Sequence, residues 1–132
     1  MILADTSVLI DYLKGNKNSA TEKMAHIIDN DIPYGICTYV YQELLQGSAN
    51  EHEYGLLKDY FGTLPFYDLR YGKESHENAA YMCMLCRKNG ISVRSTIDFL
   101  IAETAIENEL YLFHNDSDFT NISQVYNNLK IY

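Results

Sequence analysis

Residues 1–15, MILADTSVLIDYLKG, put a charge where a buried strand should hand over to a buried helix. Ile2, Leu3 and Ala4 form a short apolar run, and Val8, Leu9, Tyr12 and Leu13 recur at the spacing of one helical face. Asp5 stands between them. Burying an unpaired carboxylate costs on the order of several kcal/mol, so the residue needs a reason. One reason is capping: Asp is a favoured N-cap, and a helix N-terminus stabilises a nearby negative charge by roughly 0.3–1 kcal/mol. The other is a site, which requires partners from elsewhere in the chain.

Working outward, Gly15 and Asn16 stop the first helix, and S-x-x-E at Ser19–Glu22 reads as a capping box ahead of Met24, Ile27 and Ile28. YGICT at 34–38 is a strand candidate, followed by a helix carrying Tyr39, Val40, Leu44 and Leu45 up to Gly47. Further helices are expected from Glu51 to Phe61, from about Lys73 to Lys88, and from an S-x-x-D start at Ser95 and Asp98. LYLFH at 110–114 reads as a strand, HNDSDF as a turn-rich loop, and LKIY at 129–132 as a last strand. This alternation predicts an α/β fold, a three-layer sandwich with a mainly parallel central sheet flanked by helices, and one domain over residues 1–132.

With 132 residues there is room for one core. The net charge of -8 argues against binding nucleic acid by bulk electrostatics, yet it leaves room for a nuclease whose acids hold cations that neutralise phosphate locally. No apolar run reaches the ~20 residues of a membrane span, and the N-terminus lacks a signal-peptide pattern, so the expected location is the cytoplasm, away from membranes. Cys37, Cys83 and Cys86 lack a second CxxC or an HxxxH to complete a zinc set and read as small core residues.

Four acids fall at strand ends or helix starts: Asp5, Glu43, Asp98 and Asp116. In an open parallel sheet the carboxyl ends of the strands share one edge, where ligands bind. Convergent carboxylates persist with a cation, a shared proton or strong hydrogen bonds. Mg2+, a hard ion that prefers oxygen ligands and keeps exchangeable waters, suits such a set and supports attack of water on a phosphodiester. Asp11 and Glu103 are assigned to exposed helix faces. The competing readings are an interaction module whose acids cap helices and bind a basic partner, and a phosphotransfer domain; the latter lacks a D-x-D pair and a Lys ending the 110–114 strand.

LADTSVLIDYLKG, YQELLQG at 41–47, RSTIDFLIAETAI at 94–106 and LFHNDSDF at 112–119 resemble, in order and spacing, the PIN-domain ribonucleases, most of all the VapC-like toxins of type II toxin–antitoxin modules. The resemblance covers essentially the whole chain. It implies an RNA endonuclease requiring Mg2+, with Mn2+ as a substitute, usually a homodimer and inhibited by a small cognate antitoxin. By position, Asp5, Glu43 and Asp98 match the family's three acidic residues. Relatives often carry Asp or Asn four residues before the Phe, a place held here by Asn115, with Asp116 beside it. Asp116 is the preferred fourth ligand because a full charge holds Mg2+ better than an amide. Asp118 is assigned to anchoring the loop through backbone hydrogen bonds. Thr6 is a candidate for hydrogen bonding to a ligand carboxylate or water, or for capping, and Arg94 for meeting phosphate or for no role at all.

Overall fold

The computed structural model describes residues 1–132. In chain order the elements are β1 (Ile2–Ala4), α1 (Thr6–Leu13), α2 (Ser19–Asp29), β2 (Tyr34–Gly35), α3 (Thr38–Gln46), α4 (Glu51–Phe61), α5 (Lys73–Lys88), α6 (Thr96–Glu107), β3 (Tyr111–Phe113), α7 (Ser117–Val125) and β4 (Lys130–Ile131). The strands form one sheet in the order β2-β1-β3-β4, every neighbouring pair parallel. Leu3 lies between Gly35 on one side and Leu112 on the other, so the apolar run that opens the chain is the centre of the sheet.

The chain leaves β1 toward β2 on one side and later returns to β3 and β4 on the other, which makes the gap between β1 and β3 the point where strand order reverses. Right-handed crossovers then place the β1–β2 and β3–β4 connections on opposite faces. The helices divide accordingly: α1 packs on α2 and α3, and α3 on α4, while α5 packs on α6 and α7. This is the three-layer α/β sandwich the alternation predicts. Fully buried Leu3, Ile27, Ile101, Leu112 and Ile122 join the layers into one core, each such side chain contributing about 1.5–3 kcal/mol.

Several local readings change. Only the first half of HNDSDF is loop: Asp116 caps α7, whose first turn is Ser117 to Phe119, and Phe119 and Ile122 bury one face. The second helix is capped one residue earlier than S-x-x-E suggests, by a reciprocal Asn18–Thr21 box. Ser95 caps α6 by accepting from the Ile97 N–H, and Asp98 takes no part. β2 ends at Gly35: Ile36 instead pairs with Phe66, and Cys37 is already the N-cap residue of α3. At Gly35 the 65–67 segment crosses so closely that an added Cβ would stand 2.6 Å from the Pro65 carbonyl oxygen. Cys37 and Cys86 are buried and Cys83 packs against the core, all as free thiols. Glu103 is buried, not exposed, since α6 lies against α3, α5, α7 and β3 and has no solvent face there.

Candidate active site

Asp5 follows β1 directly and is 5% exposed, yet both readings of it are met together. It caps α1, its Oδ2 accepting from the Ser7 backbone N–H at 3.0 Å and the Ser7 hydroxyl at 2.6 Å. Burial pushes its carboxyl above the ordinary range, and the Ser7 hydrogen bonds oppose that rise. The Ser7 hydroxyl also accepts the Asn115 N–H at 2.9 Å, which ties the residues after β1 to those after β3 across the switch point. The Asn115 side-chain amide is spent elsewhere, donating to Asp11 Oδ2 at 2.7 Å.

Glu43 from α3, Asp98 from the first turn of α6 and Asp116 at the cap of α7 line the same cleft as Asp5, a volume of about 350 Å3 in which Ile10 is the one apolar side chain. The elements explain the meeting: β1 and β3 end side by side, and α3 and α6 pack on each other. The electrostatic signature is clear at Asp98, whose carboxyl is pushed up to about 7 by burial and then by Asp5, Asp116, Asp118 and Glu43. Burial also raises Glu43, with Asp5 adding to it and the Thr6 hydroxyl opposing it.

The HNDSDF segment corrects the division of labour between its two acids. It is Asp116 whose Oδ1 accepts a backbone hydrogen bond, from the Asp118 N–H at 2.9 Å. Asp118 is 6% exposed and does no such anchoring. Its carboxylate joins those of Asp98 and Asp116, with oxygens from all three within 4.8 Å of one another, and meets the Arg94 Nε at 3.5 Å. His114 accepts the Asp116 N–H at Nδ1, 3.0 Å away, which puts the proton of the neutral ring on Nε2. Burial holds this imidazole below its ordinary value against the pull of Asp5 and Asp116.

Asp11 faces solvent as expected, but that face borders the cleft, and it accepts amides from Asn16, Asn18 and Asn115, which lower its carboxyl. Ser7, Asp11 and His114 were not legible as site residues, although Ser7 and Asp11 stand one helical turn apart on the face that follows Asp5.

The residues fit a divalent cation. Clustered carboxylates supply hard oxygen donors, and the raised carboxyl of Asp98 reflects its burial first and then its acidic neighbours, both of which a bound cation would offset. The Thr6 hydroxyl is buried beside them, near enough to Glu43 to favour its charged form and bonded to nothing else, so it keeps acceptor capacity for a bound water.

Residues 2–125 match the family model of the PIN domain. The chain belongs to the PIN domain family. It is 27% identical over 128 residues to ribonuclease VapC11 of Mycobacterium tuberculosis, covering 96% of this chain and 95% of that one. Among solved structures, it resembles VapBC2 from Rickettsia felis bound to a promoter DNA fragment (TM-score 0.72, 17% identity, 100% of this chain and 98% of that one). It also resembles VapBC-1 from nontypeable Haemophilus influenzae (TM-score 0.72, 21% identity, 100% and 97%). At these identities the two structures speak for the PIN fold. No helix is long and apolar enough to cross a membrane.

Proposed function

We propose that this chain is a metal-dependent RNA endonuclease, one domain over residues 1–132, acting in the cytoplasm as the toxin of a toxin–antitoxin pair and as a homodimer. The observation that carries the nuclease reading is that Glu43 and Asp98 cap no helix, and yet the fold brings them to Asp5 and Asp116 at the switch point. A pure capping module accounts for Asp5 and Asp116 alone. The ribonuclease name of a relative that spans nearly the whole chain supports the same reading.

Asp5, Glu43, Asp98 and Asp116 are the residues to hold Mg2+, or Mn2+ in its place, with Asp118 as a further carboxylate at the Asp98 side. Such an ion, when bound, supplies an acidified water and offsets charge gathering on a phosphodiester. The chain does the positioning. Ser7 fixes the Asp5 carboxylate, the α7 cap fixes Asp116, and Thr6 offers its hydroxyl to the attacking water. Purified protein should cleave RNA with Mg2+ or Mn2+ and stop in excess EDTA. Glu43→Gln should lose orders of magnitude in rate while keeping its fold, because its side chain takes part in no helix cap. Full cleavage in EDTA overturns the reading.

The antitoxin half rests on a second cleft of about 400 Å3 between α1, α3 and α4, lined by Ile10, Leu13, Leu44 and Leu57 with Lys14 and Glu53 at its sides. Ile10 borders both clefts, so a segment lying in the apolar one reaches the acids directly. A basic, partly disordered antitoxin tail suits this acidic chain, with an Arg directed at the acid cluster. Inhibition that survives removal of the tail overturns this half.

A further inference from the structure

Resting on the nuclease reading, the one cation in contact with the acid cluster leads further. We propose that Arg94 receives an RNA phosphate beside the scissile one and is thereby a substrate-binding residue of this site. Arg94 makes the only salt bridge of the chain, and a lopsided one: its side chain is 82% exposed, while that of Asp118 is 9% exposed. Contact runs through Nε alone, at 3.5 Å, near the limit of a hydrogen bond. The two terminal nitrogens, with four of the five N–H donors, make no bond to the chain.

Such a pair does little for the fold. An exposed ion pair contributes about 0–1 kcal/mol, and the geometry here is poor. It does show that the guanidinium reaches the acid cluster. Arg94 precedes the Ser95 cap of α6, whose first turn carries Asp98, so the guanidinium is tethered within one turn of the acids. The cleft itself is lined by acids and no cation. A polyanion approaching it meets repulsion that ions at the carboxylates relieve only locally, and a planar fork with free donors is suited to a phosphate's paired oxygens.

The position of Arg94 assigns the phosphate. Asp5, Glu43, Asp98 and Asp116 border the central cleft, whereas Asp118, the residue Arg94 touches, does not. Arg94 therefore stands at the flank, within reach of a neighbouring phosphate rather than the one cleaved. A flanking contact is made equally in the bound substrate and in the transition state, so its loss appears in KM and not in kcat.

The test is steady-state cleavage of a short single-stranded RNA by wild type, Arg94→Ala and Arg94→Lys across a salt series and a Mg2+ series. Arg94→Ala should raise KM on the order of tenfold, as the loss of one charge-assisted contact implies, with kcat and half-saturating Mg2+ near wild type. The dependence of log kcat/KM on log salt should become shallower by roughly 0.7, the value for one phosphate on a single strand. Arg94→Lys should lie between, keeping the charge without the fork. An unchanged KM and salt slope overturns the proposal. So does a loss confined to kcat or to Mg2+ affinity, which would make Arg94 a brace for Asp118. If wild type cleaves no RNA with any divalent ion, the nuclease reading falls and the phosphate contact with it; wild-type cleavage indifferent to Arg94 removes only the latter.

Discussion

Asp98→Asn separates what the acid cluster does for activity from what it costs the fold. The carboxyl stands at about 7 instead of 3.8, so in the metal-free protein forming the charge at Asp98 is disfavoured by up to roughly 4 kcal/mol at 1.36 kcal/mol per pH unit. Asp98 is partly solvated, and screening reduces this to about 1–2 kcal/mol. The sign follows from linkage: between pH 3.8 and about 7 the folded chain holds a proton that the unfolded chain has released, so stability falls as pH rises through that window and is flat above it. Thermal melts in EDTA should show Asp98→Asn melting about 4–8 °C above wild type at pH 8, with the gap closing toward pH 4. Mg2+ should close it from the other side, by stabilising wild type through binding and the variant much less. RNA cleavage should nevertheless be lost. A variant that melts below wild type at pH 8, or a gap independent of pH, refutes the argument that burial and acidic neighbours together make the Asp98 charge costly without metal.

Asp116→Asn should raise the Mg2+ needed for half-maximal cleavage at unchanged melting temperature, because Asn keeps the α7 cap, whereas Asp116→Ala should also lose about 1 kcal/mol on thermal unfolding. Asp118→Asn should likewise raise the Mg2+ requirement without lowering the melting temperature; a loss of stability alone would return Asp118 to a bracing role. Glu103 is buried with one oxygen unpartnered, and burial followed by Glu107 raises its carboxyl, so its charge costs stability as pH rises above 4.5. Glu103→Gln should therefore raise the melting temperature at pH 8 and not at pH 4, with cleavage unaltered. Gly35→Ala, which sets a Cβ 2.6 Å from the Pro65 carbonyl and the Tyr67 ring, should cost about 1–3 kcal/mol in denaturant unfolding.

The elements that periodicity can report were legible: the apolar opening run, the helices around Leu44, Met82 and Ile101, and hence the parallel sheet that brings Asp5, Glu43, Asp98 and Asp116 together. What escaped was written in residues with two uses. The Asn, Asp and Ser of HNDSDF favour turns and helix caps alike, so α7 was hidden until the packing of Phe119 and Ile122 chose between them. Glu103 looked solvated because helical spacing reports which residues share a face, not whether a third element covers the other one. Asn115, distant in sequence, brings Asp11 to the cleft by a hydrogen bond, and residues 101–105 of α6 are buried throughout. The roles of Asp116 and Asp118 depended on which carboxylate turned back to the backbone, a matter of rotamer and not of residue type.

Isothermal titration with Mn2+ tests the central claim most directly, since it asks of the acids only whether they form a metal site. Wild type should show saturable binding at pH 8 that is lost in Asp98→Asn, whose fold and helix caps are intact, and that weakens as pH falls below about 7 and Asp98 takes up its proton. Absence of saturable binding, or binding indifferent to Asp98→Asn, would mean that the four acids share an edge of the sheet without forming a site.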